Sequence, residues 1–309
     1  MTKYKKLSPF ALIPLLIAAL AACHPKATSV QLTNVEDPNS LLWEVSGKGL
    51  KTPSYLYGTI HIIPKADFFM TDATKKALNE SPRVTFEINM KDMMNPTAIF
   101  SLISKATMKD GKRLKDLLSV ADYQLVEKKF EETGFPLKMF ERLKPMFLSA
   151  MMESGGTDDS SGKKESSTSY EMEFMKIAET GHKEFGGLET AEFQLAIFDS
   201  IPYDKQAAML IKELKSKDNS PGDDMKTMIA MYKKQDINAM SKMIQEEGSD
   251  VVGYENLLLT DRNKNWIPIM AKMMAQEKTF FAVGAGHLGG EKGVINLLRK
   301  EGYAVKALK

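Results

Sequence analysis

Cysteine and long hydrophobic runs are scarce in this chain. Cys23 is the one cysteine among 309 residues, so an exported form could make no internal disulfide. The apolar run Phe10–Ala22 has 13 residues and is interrupted by Pro14. It is too short for a typical membrane-spanning helix, which needs about 20 apolar residues, and it has the length of a signal-peptide core.

Several signatures of common protein classes are also missing. The net charge of +2 comes without a basic arm or an arginine stripe, which excludes a typical nucleic-acid-binding protein. The sequence contains no Gly-x-Ser-x-Gly elbow, Walker loop, dinucleotide fingerprint or His-Glu-x-x-His pattern. The glycine-rich segment Gly286–Gly293 lacks the Lys-Ser/Thr pair of a phosphate-binding loop. The chemistry of the chain must therefore rest on other residues.

The N-terminal segment predicts export and lipidation. Three lysines precede the apolar run, which ends in the sequence Leu-Ala-Ala-Cys23, and this ending resembles a lipobox. We expect a signal peptide at residues 1–22, a lipidated Cys23 that attaches the chain to a membrane, and a polar tether over residues 23–39. The alternatives are an incidental or buried thiol at Cys23 and plain secretion after cleavage at Ala22.

The remaining chain, residues 40–309, has strand-like segments near both ends. The predicted strands are residues 41–45, 54–60, 84–88, 184–189, 279–283 and 303–308. A hairpin is expected across the turn Ser46–Gly49, and the last two strands flank a helix, as in a crossover between parallel strands. We predict an α/β domain with one central mixed β-sheet, built from N- and C-terminal strands and flanked by helices.

A large helical insertion is expected in the middle of the chain. Its predicted helices are residues 96–108, 122–132, 136–152, 170–179, 203–215, 223–234, 237–247 and 254–276. Pro145 is expected to kink the third of these helices, and Gly181 to end the fourth in the left-handed conformation. Residues 155–167 are polar throughout and predict a flexible loop. Thr71 or Asp72 can cap a further short helix, and Thr190 can cap another.

Two histidines follow a glycine at the same spacing. The segments Tyr55–His61 and Phe280–His287 each contain a β-rich run, a glycine, and a histidine three residues after that glycine. The other two histidines, His24 in the tether and His182 in a polar turn, are expected to be incidental and exposed. Because ligands bind at strand ends of open α/β sheets, we expect the two Gly-x-x-His segments to share one site.

The residue types in these segments suit a divalent metal. Neutral imidazole binds divalent transition metals well, but His61 and His287 need carboxylate partners, for which Glu87 and Glu189 are the candidates. Such a set fits Mn²⁺, Fe²⁺, Co²⁺ or Zn²⁺ with one position open for water. A bound metal lowers the pKa of that water, and a nearby carboxylate can act as general base. Hydrolysis is the chemistry that follows.

Each of these residues also has a structural interpretation. His61 and His287 could be hydrogen-bonded core histidines, and Glu87 could pair with a buried arginine. Glu189 could stabilise the start of the helix that follows it. Arg262 could bind a substrate carboxylate or oxyanion, or it could only connect helices.

Ordered blocks along residues 40–308 resemble the TraB/GumN family. The blocks are Leu42–Val45, Tyr55–His61, Phe86-Glu87, Gly187–Thr190 with Gln194 and Phe198–Pro202, Arg262-Asn263, and Gly284–Gly290 with Gly293-Val294 and Gly302-Tyr303. That family opens one helix with a glycine and an acidic residue. Glu171 stands at the corresponding place here, without the glycine.

This resemblance implies a fold and a chemistry. The family is similar to the Tiki proteins, membrane-tethered metal-dependent proteases that inactivate Wnt ligands, in which two Gly-x-x-His motifs and a glutamate are linked to activity. It therefore implies catalytic and metal-ligand roles for His61, Glu87 and His287. A more distant similarity to erythromycin esterases and to a haem-binding lipoprotein family implies an α/β sheet flanked by helices.

The sequence thus predicts a membrane-anchored, divalent-metal-dependent hydrolase that acts on a peptide or protein, with Glu189 and Arg262 as secondary members of the catalytic site. The alternative is a non-catalytic envelope lipoprotein that binds a peptide or a haem-like ligand. No acidic cluster follows Cys23. We therefore expect the chain in the bacterial cell envelope, lipid-anchored and facing the periplasm from the outer membrane.

Overall fold

The computed structural model describes the C-terminal domain of the chain. The described residues are 38–89, 96–133, 136–154, 167–215, 221–245 and 253–309. The predicted signal peptide, Cys23, most of the tether and residues 155–166 of the predicted loop lie outside them. No helix within the described residues is both long enough and apolar enough to cross a membrane.

A six-stranded sheet forms the centre of the domain. The strands are β1 (Leu42–Ser46), β2 (Ser54–Thr59), β4 (Arg83–Ile88), β6 (Glu184–Glu189), β7 (Thr279–Gly284) and β8 (Ala304–Leu308). Their spatial order is β6-β4-β7-β2-β1-β8. A separate two-stranded antiparallel sheet joins β3 (Ile63–Pro64) to β5 (Ser167–Thr168).

Strand direction in the large sheet is mixed, as predicted. The four strands β6, β4, β7 and β2 run parallel to one another. Strand β1 is antiparallel both to β2, with which it forms the predicted hairpin, and to β8. Strands β7 and β8 therefore share one direction, although β2 and β1 lie between them. The predicted α/β class, with a mixed sheet from both ends of the chain, is confirmed.

Helices flank the sheet and make up the middle of the chain. They are α1 (Asp72–Glu80), α2 (Pro96–Ala106), α3 (Val120–Thr133), α4 (Pro145–Ser154), α5 (Tyr170–Thr180), α6 (Ala191–Ile197), α7 (Tyr203–Lys215), α8 (Pro221–Lys233), α9 (Ile237–Gln245), α10 (Asp261–Gln276) and α11 (Val294–Lys300). A π-helical turn, Asn256–Thr260, leads into α10. As predicted, the hydroxyls of Thr71 and Thr190 cap α1 and α6, each accepting from the backbone N–H three residues on.

The hydrophobic core has two parts. In β7 the residues Phe280–Val283 are all buried, which is typical of a strand covered on both faces. They pack in one cluster with side chains of α5, α8, α9, α10 and α11. A second cluster lies in the helical insertion, and we call it the insertion core; its buried residues are Leu114, Val126, Phe130, Leu137, Leu148, Met152, Leu210 and Ile211.

Three local predictions were wrong. Pro145 does not kink a long helix but begins α4, where its missing N–H costs no hydrogen bond. Gly181 has a φ of −83°, and the left-handed residue after α5 is His182, with a φ of 50°. Ser167 belongs to β5 rather than to the flexible loop.

Candidate active site

The candidate residues meet at one edge of the sheet. His61 follows β2, Glu87 lies near the end of β4, Glu189 ends β6, and His287 lies in a 3₁₀ turn after β7. These four strands are parallel neighbours, so their carboxyl ends lie along a single edge, where ligands of α/β sheets bind. The expectation that the two Gly-x-x-His segments come together is confirmed.

Glycine at two positions allows these segments to pack closely. A Cβ atom on Gly58 would lie 2.7 Å from Leu288 Cδ1 and 3.1 Å from Ala285 Cα. A Cβ atom on Gly284 would lie 3.3 Å from Glu87 Oε1 and 4.0 Å from His61 Nε2, with the His287 ring 3.6 Å away. The missing side chain of Gly284 therefore leaves a small space onto which all three predicted metal ligands converge; we call it the Gly284 space.

Glu87 is a buried carboxylate with several donors. Its Oε1 accepts the Gly284 N–H at 2.8 Å, and its Oε2 accepts from Arg262 Nη2 at 2.5 Å and from Gln194 Nε2 at 3.1 Å. Burial alone would raise the pKa of Glu87, but the positive charges of His287, Arg262 and His61, together with the Gly284 N–H, outweigh burial and hold the pKa at about 2. Glu87 is therefore an anion at neutral pH.

Arg262 connects the carboxylates of the site. It is 7% exposed, and its Nε donates to Glu189 at 3.0 Å while Nη2 donates to both Glu87 and Glu189. Its Nη1 donates to Leu258 O at 3.1 Å and lies 3.2 Å from His287 Nε2. These partners account for all five N–H groups of the guanidinium. Arg262 joins carboxylates at the ends of β4 and β6 rather than two helices. Glu87 does pair with a buried arginine.

His287 is buried and firmly oriented. It is 5% exposed, and its ring lies against Trp266 with centroids 4.5 Å apart. Its Nδ1 lies 2.6 Å from Asn263 Oδ1, and because an amide oxygen only accepts, Nδ1 carries the proton. Burial lowers the pKa of His287 to about 4 despite the opposing charge of Glu87. At neutral pH its ring is therefore neutral, and its Nε2 accepts a hydrogen bond from Arg262 Nη1 at 3.2 Å.

His61 differs from His287 in its exposure. Its side chain is 70% exposed, so the interpretation of His61 as a core histidine is wrong. Its Nδ1 lies 2.9 Å from Glu171 Oε1, which also accepts from Thr59 Oγ1 at 2.6 Å. The hydrogen bond with Glu171, together with the negative charges of Glu171 and Glu87, raises the pKa of His61 to about 9. Glu171, whose role the sequence left open, thus contacts one of the two histidines.

Sequence reasoning did not place Asn263 and Trp266 in the site. Trp266 Nε1 donates to Glu189 Oε2 at 3.1 Å, and Asn263 holds His287. Arg262, Asn263 and Trp266 are all buried on α10. Trp266 lies four residues after Arg262 and three after Asn263, and positions at these spacings share one face of a helix, which was the available signal.

The types of donor atom in the site suit a divalent cation. Within the described stretches no group of three or more His, Cys, Asp or Glu residues is arranged as a formed metal site. However, Glu87 Oε1 lies 3.8 Å from His287 Nε2, and Glu87 Oε1, the His287 ring and His61 Nε2 border the Gly284 space. The carboxylates of Glu87, Glu171 and Glu189 outnumber the fixed positive charge of Arg262, and a bound dication would displace the second proton of His61. Imidazole and carboxylate donors with excess negative charge suit a transition-metal dication.

The chain was also compared with known proteins. Metalloprotease TIKI1 of Danio rerio is 23% identical over 327 residues, covering 89% of this chain and 64% of that protein. Metalloprotease TIKI2 of Danio rerio is 22% identical over 322 residues, covering 88% and 61%. Metalloprotease TIKI1 of Homo sapiens is 22% identical over 321 residues, covering 87% and 62%. The chain thus spans less than two thirds of the length of these relatives.

A search of solved structures found no match to this chain. The family model of the TraB/PrgY/gumN family matches residues 41–307, which is nearly all of the described domain. The match includes both Gly-x-x-His segments and every strand that places a candidate site residue. The chain belongs to the TraB/PrgY/gumN family.

Proposed function

We propose that the chain is a divalent-metal-dependent hydrolase that cleaves peptide bonds, with His61, Glu87 and His287 as metal ligands. The observation that carries the proposal is the convergence of these three side chains on the Gly284 space, within 4.0 Å of one point. The relatives named as metalloproteases support the reaction class.

The two histidines would use the same ring nitrogen. In each, Nδ1 is held by an acceptor outside the site, Glu171 for His61 and Asn263 for His287. In His61 this arrangement leaves Nε2 facing the Gly284 space. In His287 the Nε2 atom accepts from Arg262 Nη1, and a bound metal would replace that donor. A bound divalent metal would supply a water of lowered pKa and would polarise a carbonyl oxygen.

Glu87 is better suited to binding a cation than to accepting a proton. Both of its oxygens accept hydrogen bonds, and its pKa of about 2 is far below the operating pH, where a general base works best. Of the two roles considered for Glu87, ligand and general base, we propose the ligand role. Glu189 and Arg262 would hold Glu87 in place without contacting the substrate.

The location of the chain is part of the proposal. We propose that lipid on Cys23 anchors the domain to the outer membrane of a bacterial envelope, facing the periplasm. The support is the apolar run ending in Leu-Ala-Ala-Cys23 and the absence of acidic residues just after it. In this location a peptide or protein of the envelope would be the substrate.

A peptide-cleavage assay tests the proposed activity. The full chain in mild detergent would be incubated with a mixture of unstructured peptides and with Mn²⁺, Co²⁺, Fe²⁺ or Zn²⁺, and the products read by mass spectrometry. We expect cleavage that a chelator abolishes and that one of these metals restores. The variant His61→Ala/His287→Ala should be inactive, whereas His182→Ala, which removes an exposed histidine, should be active. Cleavage that persists in the double variant would contradict the proposal.

A further inference from the structure

Glu171 holds the exposed histidine of the candidate site. It lies in the first turn of α5, whose start is capped by Ser169 Oγ accepting from Met172 N at 3.1 Å. Its side chain is 14% exposed, whereas the His61 side chain is 70% exposed. Glu171 Oε1 contacts His61 Nδ1 at 2.9 Å and Thr59 Oγ1 at 2.6 Å. A largely buried carboxylate therefore restrains a ring that is otherwise open to solvent.

Backbone pairing brings these two residues together across 110 positions of sequence. Strand β3 begins two residues after His61, and β5 ends three residues before Glu171. The two strands pair antiparallel, with Ile63 opposite Thr168 and Pro64 opposite Ser167. The short sheet thus fixes the distance between the two side chains independently of their own contact.

The contact determines which ring nitrogen is available. An ionised carboxylate only accepts hydrogen bonds, so the Nδ1 of His61 must carry a proton. When a metal displaces the second ring proton, the lone pair lies on Nε2, the atom that faces the Gly284 space. The nitrogen that makes the outer hydrogen bond decides which nitrogen can bind a metal.

The rings of His287 and His61 are held in orientation by different contacts. His287 is held by burial, by the Trp266 ring and by Asn263. His61 lacks that degree of enclosure, and its ring is held by the hydrogen bond with Glu171. Removal of Glu171 should therefore free the His61 ring to rotate and to change tautomer.

We propose that Glu171 is a positioning residue that keeps the Nδ1–H form of His61 and directs its Nε2 to the Gly284 space. The part of this inference that concerns metal rests on the proposed function. The part that concerns the ring of His61 does not depend on it.

The test combines a spectroscopic signal with Zn²⁺ affinity. In the full chain labelled with ¹⁵N-histidine, the proton on His61 Nδ1 should give a downfield signal protected from exchange, assigned with His61→Ala. Glu171→Ala should remove that signal and weaken Zn²⁺ binding, measured by calorimetry, by about 10- to 100-fold. Glu171→Gln keeps an oxygen acceptor of the same shape. It should keep the signal and lose less affinity than Glu171→Ala.

Glu173→Ala is the matched control. Glu173 lies in the same first turn of α5 but contacts Thr168 and Lys176, so its removal should change neither readout. An unchanged His61 signal in Glu171→Ala would overturn the inference, as would an equal effect of Glu173→Ala. If wild type binds no Zn²⁺, the proposed function fails, and the His61 signal still decides the role of Glu171.

Discussion

Arg262 carries the positive charge that balances two buried carboxylates. Its partners Glu87 and Glu189 have side chains only 9% and 6% exposed. Removing one member of a buried ion network leaves uncompensated charge in a medium of low polarity. The network thus makes the fold and the site depend on the same residue.

The first prediction concerns this network. Arg262→Met should lower the free energy of unfolding by about 3–5 kcal/mol, measured by urea denaturation. Lys129→Met is the control, because Lys129 pairs with Glu132 on the surface, with side chains 47% and 51% exposed, and should cost about 1 kcal/mol or less. Equal costs for the two variants would show that the Arg262 network is no stronger than a surface pair.

The second prediction concerns the Gly284 space. Gly284→Ala places a methyl group 3.3 Å from Glu87 Oε1, so it should weaken Zn²⁺ binding by about tenfold or more, or about 1.4 kcal/mol. The matched control is Gly186→Ala, whose methyl group would press on Thr85 Oγ1 at 2.6 Å instead. It should cost about 1–3 kcal/mol of stability through overpacking and leave Zn²⁺ affinity unchanged. Calorimetric titration of both variants checks this, and unaltered affinity in Gly284→Ala would be inconsistent with a metal there.

For individual residues, the sequence predicted which side chains lie in the site but not which atoms form hydrogen bonds with one another. His61, Glu87 and His287 could be grouped because each lies at or near a strand end beside glycine or apolar residues. The choice of partner for Arg262 could not be predicted, since its contacts lie 73 and 175 positions away. Several carboxylates were equally available to it in sequence, and only the packing of α10 against the sheet selects among them.

Among the elements, α6 connects helix capping to the site. Thr190 caps its start, and Gln194, one turn later, donates to Glu87 Oε2 at 3.1 Å. The end of β6 and the start of α6 thus place Glu189 and Gln194 around the same carboxylate. The position of this helix should therefore affect Glu87 directly.

The third prediction follows from that connection. Thr190→Ala and Thr71→Ala each remove an N-cap bond and should each cost about 1 kcal/mol of stability. Because α1 provides none of the contacts described for Glu87, His61 or His287, Thr71→Ala should keep wild-type Zn²⁺ affinity. Thr190→Ala should lower that affinity. Thermal unfolding and Zn²⁺ titration of both variants give the comparison; parallel losses of affinity would refute the link through α6.

The sequence predicted helix caps and the hairpin correctly, because each depends on residues close together in the chain. The caps at Thr71 and Thr190 and the hairpin across Ser46–Gly49 depend on a few neighbouring residues, and all three form. The helix expected to run through Pro145 does not form as one element. A proline can either kink a helix or begin one, and sequence alone does not distinguish the two. Tertiary packing in the insertion core decides between these outcomes.

Across the described domain, the candidate site contacts the sheet core but not the insertion core, although both cores contribute to stability. The insertion core contains Phe130, which is 1% exposed, whereas the sheet core contains Trp266, which is fully buried. Trp266 touches His287 and Glu189. The contacts described for the candidate ligands come from outside the insertion core.

The fourth prediction separates these two cores. Phe130→Ala and Trp266→Ala should each cost about 3–5 kcal/mol of stability, since each leaves a large cavity. Under native conditions Phe130→Ala should bind Zn²⁺ like wild type, and Trp266→Ala should bind it more weakly because His287 loses its support. Denaturation curves and calorimetric titrations measure both effects. Weakened binding in Phe130→Ala alone would reverse this assignment.

The central claim is that His61, Glu87 and His287 form a metal site, and metal content tests it most directly. The full chain would be incubated with divalent metals, desalted and analysed by elemental mass spectrometry, beside His61→Ala/His287→Ala and the control His182→Ala. We expect close to one metal ion per chain in wild type and in the control, and little in the double variant. Wild type without metal, or a double variant that retains as much as wild type, would contradict the account.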